Sequence, residues 1–271
     1  MNKKILAVVM SIVLVFGIVC AFASCGGDKT ESDFEYIKEK GTMVIGITYF
    51  EPMNYMDDEG NLVGFETEFA KAVCAKLGVE PKFQEIDWNS KETELNAKNI
   101  DCIWNGMTID ADRLANMAIS TPYMANKQVL VVKADRLDEI KKLDSAKGLN
   151  IVAEKGSAGE TVATTDEFFA EANYTAVDKQ AKALTEVFAG TADGCVVDYV
   201  CSIGMIGEGT DFDNLVVVDS LAFNDEQYGI AFRKGCDTVD KVNAAISELV
   251  EDGTLDQIAK KYKLEEQLIA K

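Results

Sequence analysis

The sequence predicts a mixed α/β protein of two lobes joined by two crossing segments. Three observations point there. Strand and helix signals alternate from residue 42 to the C-terminus. The 271 residues, less a 24-residue leader, leave 247, more than the roughly 100 to 150 that one sheet domain usually takes. Two extended stretches, Tyr123 to Lys127 and Asn224 to Gln227, are placed to carry the chain between lobes. Lobe 1 is then discontinuous, residues 34–125 and 225–271, and lobe 2 is residues 126–224. A double connection of this kind permits hinge closure on a ligand.

The elements follow in order. Thr42 to Ile47 is an apolar run bounded by Gly41 and reads as a buried strand. Phe65, Phe69, Ala70, Val73, Cys74 and Leu77 recur at helical spacing and stop at Gly78, a residue suited to ending a helix. Strand character resumes over Pro81 to Ile86, a helix spans Lys91 to Lys98, and Cys102 to Trp104 is the next strand, so the sheets are expected to be parallel. In the second half, strands are expected at Gln128 to Lys133, Asn150 to Ala153, Tyr174 to Val177, Cys195 to Val197, Leu215 to Val218 and Tyr228 to Phe232. Helices follow the turn Gly156-Ser157-Ala158-Gly159, end near Gly190, and close the chain over Val239 to Val250 and Leu255 to Tyr262.

Composition removes several function classes. There is no histidine, which excludes His-based triads, His-ligated zinc and the usual general acid/base near pH 7. A net charge of −19, from 27 basic and 46 acidic residues with no basic stripe, repels nucleic-acid phosphates. No metal or other cofactor is expected. Lys3 and Lys4 precede an uncharged run from Ile5 to Ser24, an export-signal pattern that is also long enough for an uncleaved membrane anchor. Its end, Phe22-Ala23-Ser24-Cys25, resembles the lipobox of bacterial lipoproteins. That resemblance implies cleavage after residue 24, lipidation (palmitate) on Cys25, a tether over 25–33, and a chain held at the extracytoplasmic face of the cell membrane. Of the remaining cysteines, Cys74, Cys102 and Cys195 lie in apolar patterns and read as small buried hydrophobes. Cys201 and Cys236 complete an odd set of five, and a pairing of Cys195 with Cys201 stays open. An exported chain that keeps thiols suits a weakly oxidising habitat.

Six stretches carry a wider resemblance: Phe50 to Met53, Gly64 to Phe69, Asn105 to Arg113, Ser120 to Tyr123, Lys155 to Gly159 and Gln227 to Gly235. Their order and spacing resemble the polar amino-acid-binding proteins of bacterial ABC importers, the family 3 extracellular solute-binding proteins, over nearly all of the chain from Phe34 to Tyr262. The resemblance implies a type II periplasmic-binding-protein-like fold with a ligand cleft between the lobes. It implies the role of an extracytoplasmic subunit, expected as a monomer, that captures a free L-amino acid and delivers it to membrane permeases.

A free amino acid needs a cation with donors for its carboxylate, an anion for its ammonium, and a side-chain pocket. Arg113 matches the family arginine that grips the α-carboxylate, and its flat two-pronged donor suits that group. Backbone amides at Thr108 and Ala158 would share it, the latter beside Ser157 where a turn opens a helix. Asp198 stands at the carboxyl end of an apolar strand, where α/β sheets place ligands, and matches the family aspartate for the ammonium. It is equally placed to cap the helix from Tyr199. The carbonyl of Asn105 or Gly106 adds an acceptor. Phe50 and Trp88 match two aromatic positions that sandwich the ligand's side chain, while Trp104 either narrows the pocket or belongs to the core. Ile47 stands where relatives that take cationic side chains often carry aspartate, with Glu51 nearby as a possible substitute, and the departures favour a neutral or modestly polar ligand. Two other classes remain: a cyclohexadienyl-dehydratase-like enzyme, with Glu51, Glu154 or Asp198 as acid/base, and a sensory ligand-binding lipoprotein.

Overall fold

The computed structural model describes residues 32–271. The leader 1–24, Cys25 and most of the tether lie outside the described residues. Among the described residues no helix is long and apolar enough to cross a membrane.

Among the described residues twelve strands occur: β1 Thr42–Ile47, β2 Tyr55–Met56, β3 Leu62–Val63, β4 Glu80–Glu85, β5 Cys102–Ile103, β6 Met117–Ile119, β7 Met124–Lys133, β8 Asn150–Glu154, β9 Asn173–Val177, β10 Gly194–Asp198, β11 Leu215–Tyr228 and β12 Ala231–Arg233. They form two five-stranded sheets, ordered β4-β1-β5-β12-β6 and β11-β7-β10-β8-β9, and a β2-β3 hairpin. Each sheet centres one lobe and is covered by helices on both faces. The alternation of the pleat shows in the packing. On β1, Met43, Ile45 and Ile47 enter one apolar cluster with the helix Phe65–Leu77, while Val44 packs into another with Ile86, Trp88 and Ile103. On β7, Val129 and Val131 face one cluster, Leu130 and Val132 the other. Each such side chain, fully buried, contributes about 1.5–3 kcal/mol. The helix Phe65–Leu77 stops where Gly78 turns left-handed at φ 68° and its N–H reaches back to Ala75 O at 3.2 Å.

Three differences from the sequence reading have physical causes. The sheets are mixed rather than parallel: β12 runs antiparallel to β5 and β6, and β7 antiparallel to β10 and β11. A strand arriving from the other lobe enters its sheet against the direction of the resident strands. The crossing segments are themselves strand, so β7 begins at Met124 and β11 runs unbroken to Tyr228, paired Met124↔Tyr228, Ala125↔Gln227, Asn126↔Glu226 and Lys127↔Asp225. Polar side chains there hide the strand pattern, yet the ladder satisfies the backbone. The strand expected over Tyr228 to Phe232 breaks at Gly229, whose N–H donates to Met107 O at 3.0 Å, and restarts as β12. Among the described residues all five cysteines are free thiols.

Candidate ligand-binding site

β1, β4, β5, β8 and β10 all end at the same cleft, so the residues just beyond their carboxyl ends meet there, as the geometry of α/β sheets requires. The cleft narrows there to about 260 Å³ of empty space, its opening to solvent included. One wall is Phe50, Trp88, Asn105, Gly106, Thr108 and Arg113, and the other is Glu154, Ser157, Ala158, Gln180 and Asp198. All nine residues assigned from sequence are thus brought together, joined by two that were not, Glu154 and Gln180.

Arg113 lies in the short helix Ala111–Asn116, capped by Asp110, whose Oδ1 accepts from Arg113 N at 2.8 Å. Its guanidinium is nearly buried, donates from Nη1 to Thr108 O at 2.7 Å, and has Nε 3.2 Å from Asp110 Oδ2. It is therefore held as a charged fork at the cavity wall. Facing it, Ser157 Oγ caps the helix Ala158–Thr165 by accepting from Glu160 N at 3.1 Å. The first N–H groups of that helix have no intrahelical partner and favour an anion.

Asp198 ends β10 and is buried. Asn126 Nδ2 (2.8 Å), Gln128 Nε2 (2.5 Å) and Gln180 Nε2 all donate to its carboxyl group. Burial raises its pKa against the pull of those donors. The capping role considered for Asp198 is not what the structure has: its side chain makes no cap bond, and Val200 N donates instead to Asn126 Oδ1 at 3.1 Å. The amides on β7 claim the carboxyl group first. Glu226, on the other crossing strand, accepts from the same Asn126 and from Gln128 Nε2 at 2.8 Å, and from Thr108 Oγ1 at 3.0 Å. Burial, then the neighbouring Asp198, pushes Glu226 up to about 7.

Asn105 spends its side chain on Thr48, accepting from Thr48 N at 2.9 Å and donating to Thr48 O at 2.9 Å, which leaves its backbone carbonyl for a ligand. Gly106 has φ 54°, and a Cβ there would stand 2.9 Å from Phe50 Cζ, so only glycine fits beside the aromatic wall. Gly106 N donates to the buried Glu66 Oε1 at 2.8 Å; burial holds that carboxyl at about 7. Phe50 and Trp88 are each more than nine-tenths buried and serve both as wall and as core. Trp104 is core alone, edge-on to Phe69 with ring centroids 5.0 Å apart. Ile47 is likewise core. Glu51 does not reach the cavity: the turn closed by Phe50 N to Asn54 O (2.9 Å) presents Phe50 inward and leaves Glu51 in a separate surface groove with Tyr55 and Gly204.

The lobes are closed on each other. Lys91 Nζ donates across the cleft to Gly156 O at 2.9 Å, Arg113 Nη2 lies 3.5 Å from the same carbonyl, and Lys179 pairs with Glu85 at 2.5 Å. Gly204 approaches so closely that a Cβ would stand 2.6 Å from Pro52 N. Lys91 is buried over the Trp88 ring at 4.7 Å, and desolvation, then Arg113, lowers its pKa to about 8. Sequence reasoning missed Lys91 and Gln180 because each looks like an ordinary first residue of a helix. Glu154 carries a signal, since it ends β8 as Asp198 ends β10, yet it was weighed only as an acid/base candidate.

A family model for bacterial extracellular solute-binding proteins, family 3, matches residues 26–265. The chain is 29% identical over 270 residues to the L-cystine-binding protein TcyJ of Escherichia coli, covering 97% of this chain and 96% of that one. It is 28% identical over 250 residues to the arginine-binding extracellular protein ArtP of Bacillus subtilis, covering 90% and 93%. Among solved structures it is similar to the ancestral amino acid-binding protein AncCDT-1, a precursor of cyclohexadienyl dehydratase, with TM-score 0.75 at 30% identity over 85% of this chain and 99% of that one.

Proposed function

Belonging to the family 3 bacterial extracellular solute-binding proteins, the chain is an amino-acid-binding subunit of an ABC importer, and we propose that it grips the two charged ends of one free amino acid between its lobes. Arg113, with the first amides of the helix Ala158–Thr165, holds the α-carboxylate. Asp198 and the carbonyls around Asn105 and Gly106 hold the α-ammonium, and Phe50 and Trp88 flank the side chain. The observation that carries this reading is one guanidinium and one carboxylate in opposite walls of a small enclosed cavity, each fixed by its own hydrogen bonds. In such a water-poor site a few charge-assisted hydrogen bonds of roughly 1.5–3 kcal/mol each supply much of the ~8 kcal/mol of a micromolar complex.

The subunit works as a monomer anchored through Cys25 and hands its cargo to membrane permeases, without chemical change to the ligand. Thermal-shift screening of the domain against free amino acids tests the reading, because a ligand at 100 times its dissociation constant adds about 2.7 kcal/mol of stability. Mass analysis of the recovered ligand should find it intact, whereas a dehydrated product would make the protein an enzyme. Loss of amino-acid uptake on gene deletion would separate transport from a purely sensory role. No shift with any amino acid would refute the reading.

A further inference from the structure

Glu154 is a second acid in the cavity wall that the gripping of a zwitterion leaves unused. It closes β8 in lobe 2, is 3% exposed, and its Oε1 has no hydrogen-bond partner. Such a group is costly where it stands, since buried polar atoms are normally paired. Among the described residues no Lys or Arg lies within ion-pair distance of it. Lys91, whose charge acts on Glu154, spends its ammonium on two carbonyls, Trp88 O at 3.2 Å and Gly156 O at 2.9 Å. Nor do the surrounding amides serve Glu154: Gln180 is committed to Asp198 through both ends of its side chain.

The charges in the wall can be matched to a ligand one by one. Arg113 answers the α-carboxylate and Asp198 the α-ammonium, which leaves Glu154 facing whatever the side chain brings. We infer that Glu154 is the specificity-determining residue of the cavity, and that the ligand is an amino acid with a second protonated nitrogen on its side chain, such as lysine, ornithine or arginine. This rests on the amino-acid reading above and narrows it. It replaces the neutral side chain suggested by Ile47, a position that lies in the core of lobe 1, while the counter-charge comes from lobe 2.

Protonation supplies a signature. Burial, then the neighbouring Asp198, pushes the Glu154 carboxyl up to about 8, and the other charged groups that face it are Lys91 from the helix Lys91–Asn96, Asp178 ahead of the helix Gln180–Ala189, and Asp87 ahead of Trp88. Near pH 7 the ligand-free protein therefore carries a proton on Glu154 that a cationic side chain displaces and a neutral one does not.

The experiment is titration calorimetry at pH 7 in buffers of different ionisation enthalpy, with L-lysine and L-arginine against their uncharged counterparts L-norleucine and L-citrulline. At least one member of the charged set should bind about thirtyfold or more tighter than its uncharged counterpart, with a fraction of a proton released that norleucine and citrulline do not release. Glu154→Gln should bring charged and uncharged ligands to within about tenfold and abolish the proton release. Equal binding of both sets by the parent protein, or a charge preference that survives in Glu154→Gln, would overturn the inference while leaving the zwitterion site standing. The parent comparison needs no variant, so a poorly folding Glu154→Gln does not shelter the idea. Absence of binding by every free amino acid would overturn the amino-acid reading itself, and this inference with it.

Discussion

Replacing Asp198 by asparagine separates ligand binding from folding more cleanly than truncation does. Asp198→Ala would strand the amide of Gln180, at about 1–3 kcal/mol for a donor left unpaired, and leave Asn126 and Gln128 with Glu226 alone, so a binding defect would be confounded with a weakened lobe. Asparagine keeps Oδ1 for Asn126 and Gln128, gives up only the bond from Gln180 Nε2 to Oδ2, and removes the charge that pushes Glu226 up. The ligand-free variant should melt close to the parent temperature, the lost bond being offset by relief of Glu226. Binding should suffer, because the ligand ammonium loses a buried counter-charge, a change of about 3–5 kcal/mol. At 1.4 kcal/mol per factor of ten that is roughly a hundredfold to a few thousandfold in dissociation constant. Calorimetry with the amino acid identified by thermal shift reads it directly. An affinity within tenfold of the parent, in a variant with an unchanged melting temperature, would remove Asp198 from the ammonium site and refute the charge matching.

The same ligand tests the opposite end: Arg113→Ala should weaken binding at least about a hundredfold with little change in the ligand-free melting temperature, and near-parent affinity would reduce Arg113 to a closing contact with Gly156. The ligand-free protein should lose stability as pH rises from about 4.5 to 8, because Glu66 and Glu226 at about 7 and Glu154 at about 8 sit above their unfolded value of 4.5 and bind protons in the folded state that the unfolded chain has released. Urea melts at pH 5 and pH 8 measure this, and a midpoint that rises with pH would contradict it. Cys25→Ser should release the protein from membranes or leave an uncleaved precursor on fractionation, and normal cleavage with unchanged membrane association would exclude Cys25 as the anchor.

How far the sequence is legible depends on which side chains carry each signal. The lobes could be read because strands such as β1 and β7 send alternate residues into separate apolar clusters, and because the helix Phe65–Leu77 repeats its apolar residues until Gly78. The crossing segments could be located but not recognised as paired strand, since Asn126 and Glu226 interrupt the apolar pattern with groups whose reason for being there is each other. β2, β3 and β6 are too short for any period. Of the cavity, the residues nameable from sequence were those with a matching stretch around them. Lys91 and Gln180 act through partners 65 and 18 residues away, Gly156 and Asp198, which only the folded chain brings near.

The polar residues on the crossing strands also account for the buried acids. Asn126 on β7 donates to Asp198 in lobe 2 and to Glu226 on β11, while its Oδ1 caps the helix Tyr199–Met205. Glu226 in turn accepts from Thr108, beside the Arg113 fork in lobe 1. A single set of hydrogen bonds therefore runs from one wall of the cavity, through both hinge strands, to the other wall. Three carboxyl groups, Glu154, Asp198 and Glu226, stand in or next to it with raised pKa values because the enclosed cleft desolvates them and Asp198 repels the other two. A cation entering the cleft relieves that repulsion where the two lobes meet. Closing the lobes and neutralising the acids are then favoured by the same event, which is the coupling a capture protein needs to hold its ligand closed.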